Sequence, residues 1–183
     1  MSARLFVAVS LGDDDRRALI AWAREAVGGD RGMRVVAAEQ VHLTLAFLGH
    51  RPLDEVGPLC DLVESFSGAP LPVLSTGAAL WLSPRRPHVL TVAVNDDEGA
   101  LASLHASVWD GLEDLGYERE ERRFRPHLTV ARVRHGWSAP TAHALPPTPG
   151  LDLDVRAVTL MRSYLGGGPA RYEELAQGTL GAG

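Results

Sequence analysis

Residues 41–49 read VHLTLAFLG and residues 126–133 read PHLTVARV. Within them stand His42-Leu43-Thr44-Leu45 and His127-Leu128-Thr129-Val130, close to half a chain apart. Both copies have the apolar, β-branched character of a strand, and strand side chains alternate faces with a period of two. His42 and Thr44 therefore share one face, as do His127 and Thr129. Leu43, Leu45 and Phe47 take the other face, as do Leu128 and Val130, and that all-apolar face is the core side. Continued alternation puts the small Ala46 and Ala131 on the His/Thr face, with space above them. Each copy thus offers an imidazole and a hydroxyl beside a gap, and two such strands from related halves can face one cleft.

Working outward, Arg4–Ser10 (RLFVAVS) reads as a strand. Asp13 then caps a helix whose first turn holds Asp14 and Asp15, where the helix dipole favours acids. Leu19, Trp22, Ala23, Ala26 and Val27 give its apolar stripe, and Gly28-Gly29 ends it. Met33–Val36 and Leu43–Leu48 are strands. A second helix runs from Asp54 to about Ser65, with Val56, Leu59, Cys60 and Val63 inward and Cys60 as a small core residue. Leu71–Leu82 and His88–Val94 are strands joined by the turn 83–87 (SPRRP). A third helix spans about Asp97 to Leu115, stopped by Gly116. Leu128–Val133 is a strand and the Pro-rich stretch His135–Gly150 an irregular connection. Leu153–Tyr164 and Ala170–Leu175 are the last strands, with Gly166-Gly167-Gly168 as a tight loop between them. Gly178–Gly183 is a loose tail. This order lacks a βαβ rhythm and points to α+β with mainly antiparallel sheets.

Composition narrows the function classes. With 183 residues, 45% hydrophobic and 22% charged, the chain is an ordinary globular one and can bury about 70% of its unfolded surface. A single cysteine excludes an internal disulfide and a Cys-rich zinc site. No apolar run reaches the roughly 18 residues of a spanning helix. The N-terminal apolar run is too short for a signal peptide, so a cytoplasmic protein is expected, with no membrane partner. The net charge is −5, so duplex DNA is not an expected partner. All 18 basic residues are arginine, which excludes a lysine nucleophile, a Schiff base and a P-loop lysine. No GxGxxG follows a strand, which argues against a dinucleotide fold.

Two histidines near pKa 6.5 can be one protonated and one neutral at the same pH. That is what concerted acid–base chemistry needs, and threonine hydroxyls can hold anionic oxygens. The natural target is a phosphodiester, with one histidine activating the attacking oxygen and the other protonating the leaving oxygen. Which does which is open on these grounds. A metal site lacks its usual companions: neither copy carries HExxH, an HD pair or an acid at ligand spacing.

Paired HxTx motifs resemble the 2H phosphoesterase superfamily. RLFVAV, VHLTLAFLG, FRPHLTVAR and VTLMRSYLGGGPARYEEL (158–175) are similar in order to its bacterial and archaeal RNA 2′,3′-cyclic phosphodiesterase branch, also labelled 2′-5′ RNA ligase. The resemblance implies one bilobal α+β domain over 1–183, each lobe carrying one copy (42–45 and 127–130). It implies two antiparallel sheets with pseudo-twofold symmetry around a central cleft, helices outside. It also implies metal-independent opening of a 2′,3′-cyclic phosphate to a 2′-phosphate, without a cofactor, by a monomer acting on RNA ends or small cyclic nucleotides. By position, His42 would be the proton donor to the 3′ oxygen and His127 the base that activates water. Thr44 and Thr129 would hold phosphate oxygens. The resemblance implies phosphate contact for Arg132 as well, whereas regular alternation turns it away from His127 unless a bulge turns it back. Phe6 and Tyr164 are candidates to stack a base, while Phe47 has core parity. Arg119, Arg122, Arg123 and Arg125 read as a solvated loop or as local attraction for an RNA backbone. His50, His88, His105, His135 and His143 lack a threonine at +2 and read as incidental. Two other functions use the same residues: 2′-5′ joining of RNA ends by the reverse reaction, and non-catalytic binding of RNA ends.

Overall fold

The structure is a computed structural model that describes residues 1–82, 87–138, 145–166 and 170–181. The turn residues 83–86, His143, Gly167 and Gly168 lie outside the described residues. The strands are β1 (Ser2–Leu11), β2 (Met33–Val35), β3 (Leu43–Pro52), β4 (Leu74–Leu82), β5 (Val89–Asn95), β6 (His127–Val133), β7 (Asp152–Leu153), β8 (Val155–Tyr164) and β9 (Arg171–Thr179). The helices are α1 (Asp13–Val27), α2 (Val56–Glu64) and α3 (Ala100–Asp114). The order along the sheet is β7-β4-β5-β6-β3-β1-β8-β9, with β2 paired to β6 and all pairings antiparallel.

The nine strands form one sheet, and the two halves expected as separate sheets are its wings. They join through the pair Leu43↔Leu128, between β3 and β6. Both leucines are fully buried, so the apolar face of each HxT copy meets the other at the seam. The residues flanking each leucine turn to the opposite side, which brings His42, Thr44, His127 and Thr129 onto one face. The packing of α1 against β2 and β6, of α2 against β8 and β9, and of α3 against β3 covers the apolar side.

The two wings repeat each other residue by residue. In β1–β3 the pairs are Val9↔Leu43 and Ala8↔Thr44, then, past the unpaired Leu45, Val7↔Ala46 and Phe6↔Phe47. In β5–β6 they are Val92↔Leu128 and Thr91↔Thr129, then, past the unpaired Val130, Leu90↔Ala131 and Val89↔Arg132. The same bulge sits at the same place after each HxT. A bulge sets two residues of one strand against one of its partner and resets the alternation.

Several local expectations are corrected. Asp13 does not cap α1; the cap position is Gly12, and the Asp13 carboxylate accepts from Arg16 within the first turn. The strand expected from Leu153 to Tyr164 breaks at Asp154, whose carbonyl accepts the Gly12 N–H at 2.8 Å and whose N–H donates to Asp15 at 2.6 Å. The tail is not loose at its start. β9 runs through Thr179, Leu180 is buried, and Gly178 lies so close to the Val63 carbonyl that a Cβ would collide with it.

Candidate active site

The His/Thr face lines a cavity of about 370 Å³. His42, Thr44, His127 and Thr129 all border it, as do Arg132 and Phe6. A ligand pocket of this size suits a small molecule of nucleotide dimensions.

Each histidine is held in the same way. His42 Nδ1 donates to the Gln40 carbonyl at 2.8 Å, and His127 Nδ1 donates to the Arg125 carbonyl at 2.8 Å. A carbonyl only accepts, so the neutral ring carries its proton on Nδ1 and keeps the Nε2 lone pair free. Both rings can thus take a proton at Nε2 or, once charged, give one up there.

Their surroundings differ. Phe6 lies 4.8 Å from the His42 ring centroid at 31°, and Tyr172 presents an edge at 5.2 Å. Burial among these rings lowers the His42 pKa to about 4, against the pull of the Gln40 carbonyl and with help from the charges of Arg132 and His127. Gln40 is tied down at both ends. Its side-chain oxygen accepts from the Ala37 N–H at 3.1 Å, and its amide donates to the Ala170 carbonyl. His127 follows a stretch anchored to α3 instead. Phe124 stacks on His105 at 3.9 Å and 13°, and Trp109 donates to His105 Nε2 at 3.1 Å.

The bulges decide what else reaches the cavity. Ala46 and Ala131, expected on the His/Thr face, turn to the core and are 2% and 0% exposed. Arg132 turns into the cavity lining, the arrangement in which the bulge overrides regular alternation. Phe47 does the same in the first copy. It is 57% exposed and borders the cavity, which corrects the core parity assigned to it. Tyr164 lies outside the cavity lining. Its hydroxyl donates to Glu173, and Arg162 and Arg171 flank its ring. The aromatic that the hairpin turns inward is Tyr172, which pairs with Ser163 across β8–β9.

Arg4 and Arg34 complete a cationic wall; Arg34 pairs with Arg132 across β2–β6, and Arg4 reaches Ser163 at 3.5 Å. No Asp or Glu borders the cavity among the described residues. On a chain of net charge −5 this concentrates positive potential in one hollow, where it attracts anions. His88, read as incidental, also borders it. Of the arginines before the second motif, Arg119 is bonded to Asp110 and Glu113, and Arg122, Arg123 and Arg125 are exposed; none borders the cavity. Among the described residues, no three His, Cys, Asp or Glu side chains gather as a metal-binding group, and no helix is long and apolar enough to cross a membrane.

Residues 13–167 match the family model of the 2′-5′ RNA ligase superfamily. The chain belongs to this superfamily. A superfamily relative from Archaeoglobus fulgidus, named RNA 2′,3′-cyclic phosphodiesterase, is 32% identical over 131 residues, 72% of this chain and 73% of that protein. One of the same name from Thermus thermophilus is 33% identical over 170 residues, 88% of this chain and 82% of that protein. The crystal structure of Escherichia coli LigT complexed with 3′-AMP superposes with a TM-score of 0.78 at 27% identity, covering 98% of this chain and 99% of that one.

Sequence reasoning missed Phe47, Tyr172, Gln40 and Arg34 as neighbours of the superfamily's paired motifs. A signal existed for Phe47: aligning HLTLAF on HLTVAR sets it under Arg132. Tyr172 needed the hairpin register and Arg34 the β2–β6 pairing, neither of which alternation fixes.

Proposed function

We propose that the protein hydrolyses 2′,3′-cyclic phosphate ends of RNA or small nucleotides to 2′-phosphates, without a metal, by two-histidine acid–base catalysis. The carrying observation is the paired Nδ1–carbonyl bonds, which leave two Nε2 atoms and two threonine hydroxyls on one cavity walled by arginines. The names of the two phosphodiesterase relatives and the nucleotide held by LigT support the substrate class.

In this reading His127 Nε2 takes a proton from water as its oxygen attacks phosphorus. The bond from phosphorus to the 3′ oxygen breaks, and His42 Nε2 gives that oxygen its proton. Thr44, Thr129 and Arg132 hold the remaining phosphate oxygens, whose negative charge grows in the transition state. Burial keeps the His42 ring neutral at neutral pH. An anionic phosphodiester beside Nε2 favours the charged ring and raises its pKa, so the substrate loads its own acid. In water the same groups favour hydrolysis over 2′-5′ joining, since water outcompetes a dilute hydroxyl nucleophile.

The neutral state of His42 favours one second reading, in which the two histidines exchange roles. A cyclic phosphate with sulfur in place of the 3′ oxygen separates the two, because a thiolate leaves without a proton. If His42 is the acid, this substrate restores activity to His42→Ala and not to His127→Ala. The function itself is tested by incubating adenosine 2′,3′-cyclic phosphate with the protein in EDTA and identifying the product by phosphorus NMR. Adenosine 2′-phosphate is expected; an unreacted substrate, or a reaction abolished by EDTA, contradicts the proposal.

A further inference from the structure

Each imidazole of the proposed site is aimed by a carbonyl two residues before it in the chain, Gln40 for His42 and Arg125 for His127. The direction of each Nε2 therefore depends on how firmly that carbonyl is held. Gln40 ends a short helical turn, Ala38–Gln40, and its side chain bonds Ala37 and Ala170. Arg125 lacks such a frame. Residues 118–126 form neither helix nor strand, and Glu118–Arg123 and Arg125 are exposed. On one side of Arg125, the Pro126 carbonyl accepts the Val94 N–H at 3.1 Å and so ties the chain to β5. On the other side stands Phe124, half-buried in an otherwise exposed run.

Phe124 meets His105 of α3, ring on ring at 3.9 Å and 13°. The His105 ring is itself fixed, because its Nε2 accepts the Trp109 N–H at 3.1 Å. Trp109 lies one helical turn further on and belongs to the core. A buried indole N–H needs an acceptor, and a stacked phenyl ring needs a flat partner. Histidine supplies both at one position. Phenylalanine there would leave the indole N–H unmet, and glutamine would lose the aromatic face. Burial, helped by the Arg119 charge, lowers the His105 pKa and so keeps Nε2 unprotonated as an acceptor. A line of contacts thus runs from the core to the reacting ring, through Trp109, His105, Phe124 and the Arg125 carbonyl to His127 Nδ1.

Resting on the proposed function, we infer that His105, read from the sequence as incidental, is a positioning residue for His127. Through Phe124 it holds the Arg125 carbonyl in place. That carbonyl decides which nitrogen of His127 carries the proton and where Nε2 points. His42 has its own anchor in Gln40 and does not depend on this line.

The test reads the two rings separately, by proton–nitrogen NMR of the neutral imidazoles without substrate. In the unaltered protein His42 and His127 should both carry the proton on Nδ1. In His105→Ala, His127 should become a mixture of the two tautomers while His42 stays as it was. Phe124→Leu, made on the exposed stretch, is a second route to the same His127 change, and Phe124→Tyr, which keeps a ring on His105, should leave His127 on Nδ1. In His105→Ala and Phe124→Leu, kcat on adenosine 2′,3′-cyclic phosphate should fall roughly two- to tenfold, the worth of one aromatic pair, with KM unchanged. A His127 tautomer that neither variant moves overturns the inference. So does a shift of His42 together with His127, which marks a general loosening, or an unchanged kcat where the tautomer has moved. Failure of the unaltered protein to open the substrate overturns the proposed function instead, and is told apart because the tautomers are read without substrate.

Discussion

The two HxT copies share register, bulge and the bond that fixes each imidazole, yet one ring is packed among aromatics and the other is not. His42 sits among Phe6 and Tyr172 from strands of its own wing, and its pKa falls to about 4. His127 follows a stretch held by Phe124 and His105 and has neither of those rings against it. The difference teaches that a repeated motif does not fix its own environment. A repeated strand gives two like residues; the neighbouring strands give their imidazoles unlike surroundings.

The comparison breaks most sharply if either copy is dispensable. His42→Ala and His127→Ala are each expected to lower kcat on adenosine 2′,3′-cyclic phosphate by roughly 10²–10⁴-fold, the usual worth of one positioned proton-transfer group. Initial rates at saturating substrate check this, and a loss of only a few fold in either variant would remove that histidine from the chemistry.

The packed His42 ring also leaves a mark on stability. His42 has a pKa of about 4 in the folded chain, against about 6.5 when unfolded. Between these values the unfolded chain binds more protons, so stability rises with pH across that window. The contribution is fully present above about pH 6.5 and is lost as pH falls toward 4, in total on the order of 3 kcal/mol. Urea unfolding at pH 7 and pH 4.5 should show a larger acid-side loss for the wild type than for His42→Gln. Equal pH dependence in the two would show that packing does not lower the His42 pKa.

Smaller effects sharpen the contrast between the cavity residues that follow each HxT copy, Phe47 and Arg132. Arg132→Ala is expected to lower kcat/KM roughly 10–10²-fold for any cyclic phosphate, since a charge-assisted hydrogen bond is worth about 1.5–3 kcal/mol. If a base stacks on the exposed Phe47 ring, Phe47→Ala costs about 1–3 kcal/mol of binding, a loss expected for nucleotides and absent for a substrate without a base. Steady-state kinetics on both substrates would separate the two, and the same loss on both in Phe47→Ala would argue against stacking. The smallest effect is expected from Phe124→Ala, which frees the stretch carrying the Arg125 carbonyl. A few-fold drop in kcat with KM unchanged is expected, and His127→Ala should abolish the further effect of the Phe124 change. A Phe124→Ala loss of the same size in the His127→Ala background would place its action elsewhere.

Much of this was legible in the sequence because the decisive signals are local. Alternation around His42 and His127 told which face lines the cavity, and the apolar stripes of Leu19–Val27 and Val56–Val63 marked helices. What alternation could not show is where it resets. The unpaired Leu45 and Val130 look like ordinary strand residues, and only the ladder reveals that Phe47 and Arg132 turn inward while Ala46 and Ala131 turn away. Hairpin register was equally hidden: nothing in the spacing prefers Tyr172 over Tyr164 until Ser163 is seen opposite Tyr172. The seam at Leu43 and Leu128 joins residues far apart in the chain, and no local pattern encodes that distance.

The most direct test of two imidazoles sharing one reaction is the dependence of kcat/KM on pH in the wild type and the two single variants. A bell-shaped profile is expected for the wild type, because His42 must carry a proton and His127 must lack one. His42→Ala should lose the fall at high pH and keep the one at low pH, and His127→Ala should do the reverse. The same bell in all three proteins would contradict the account.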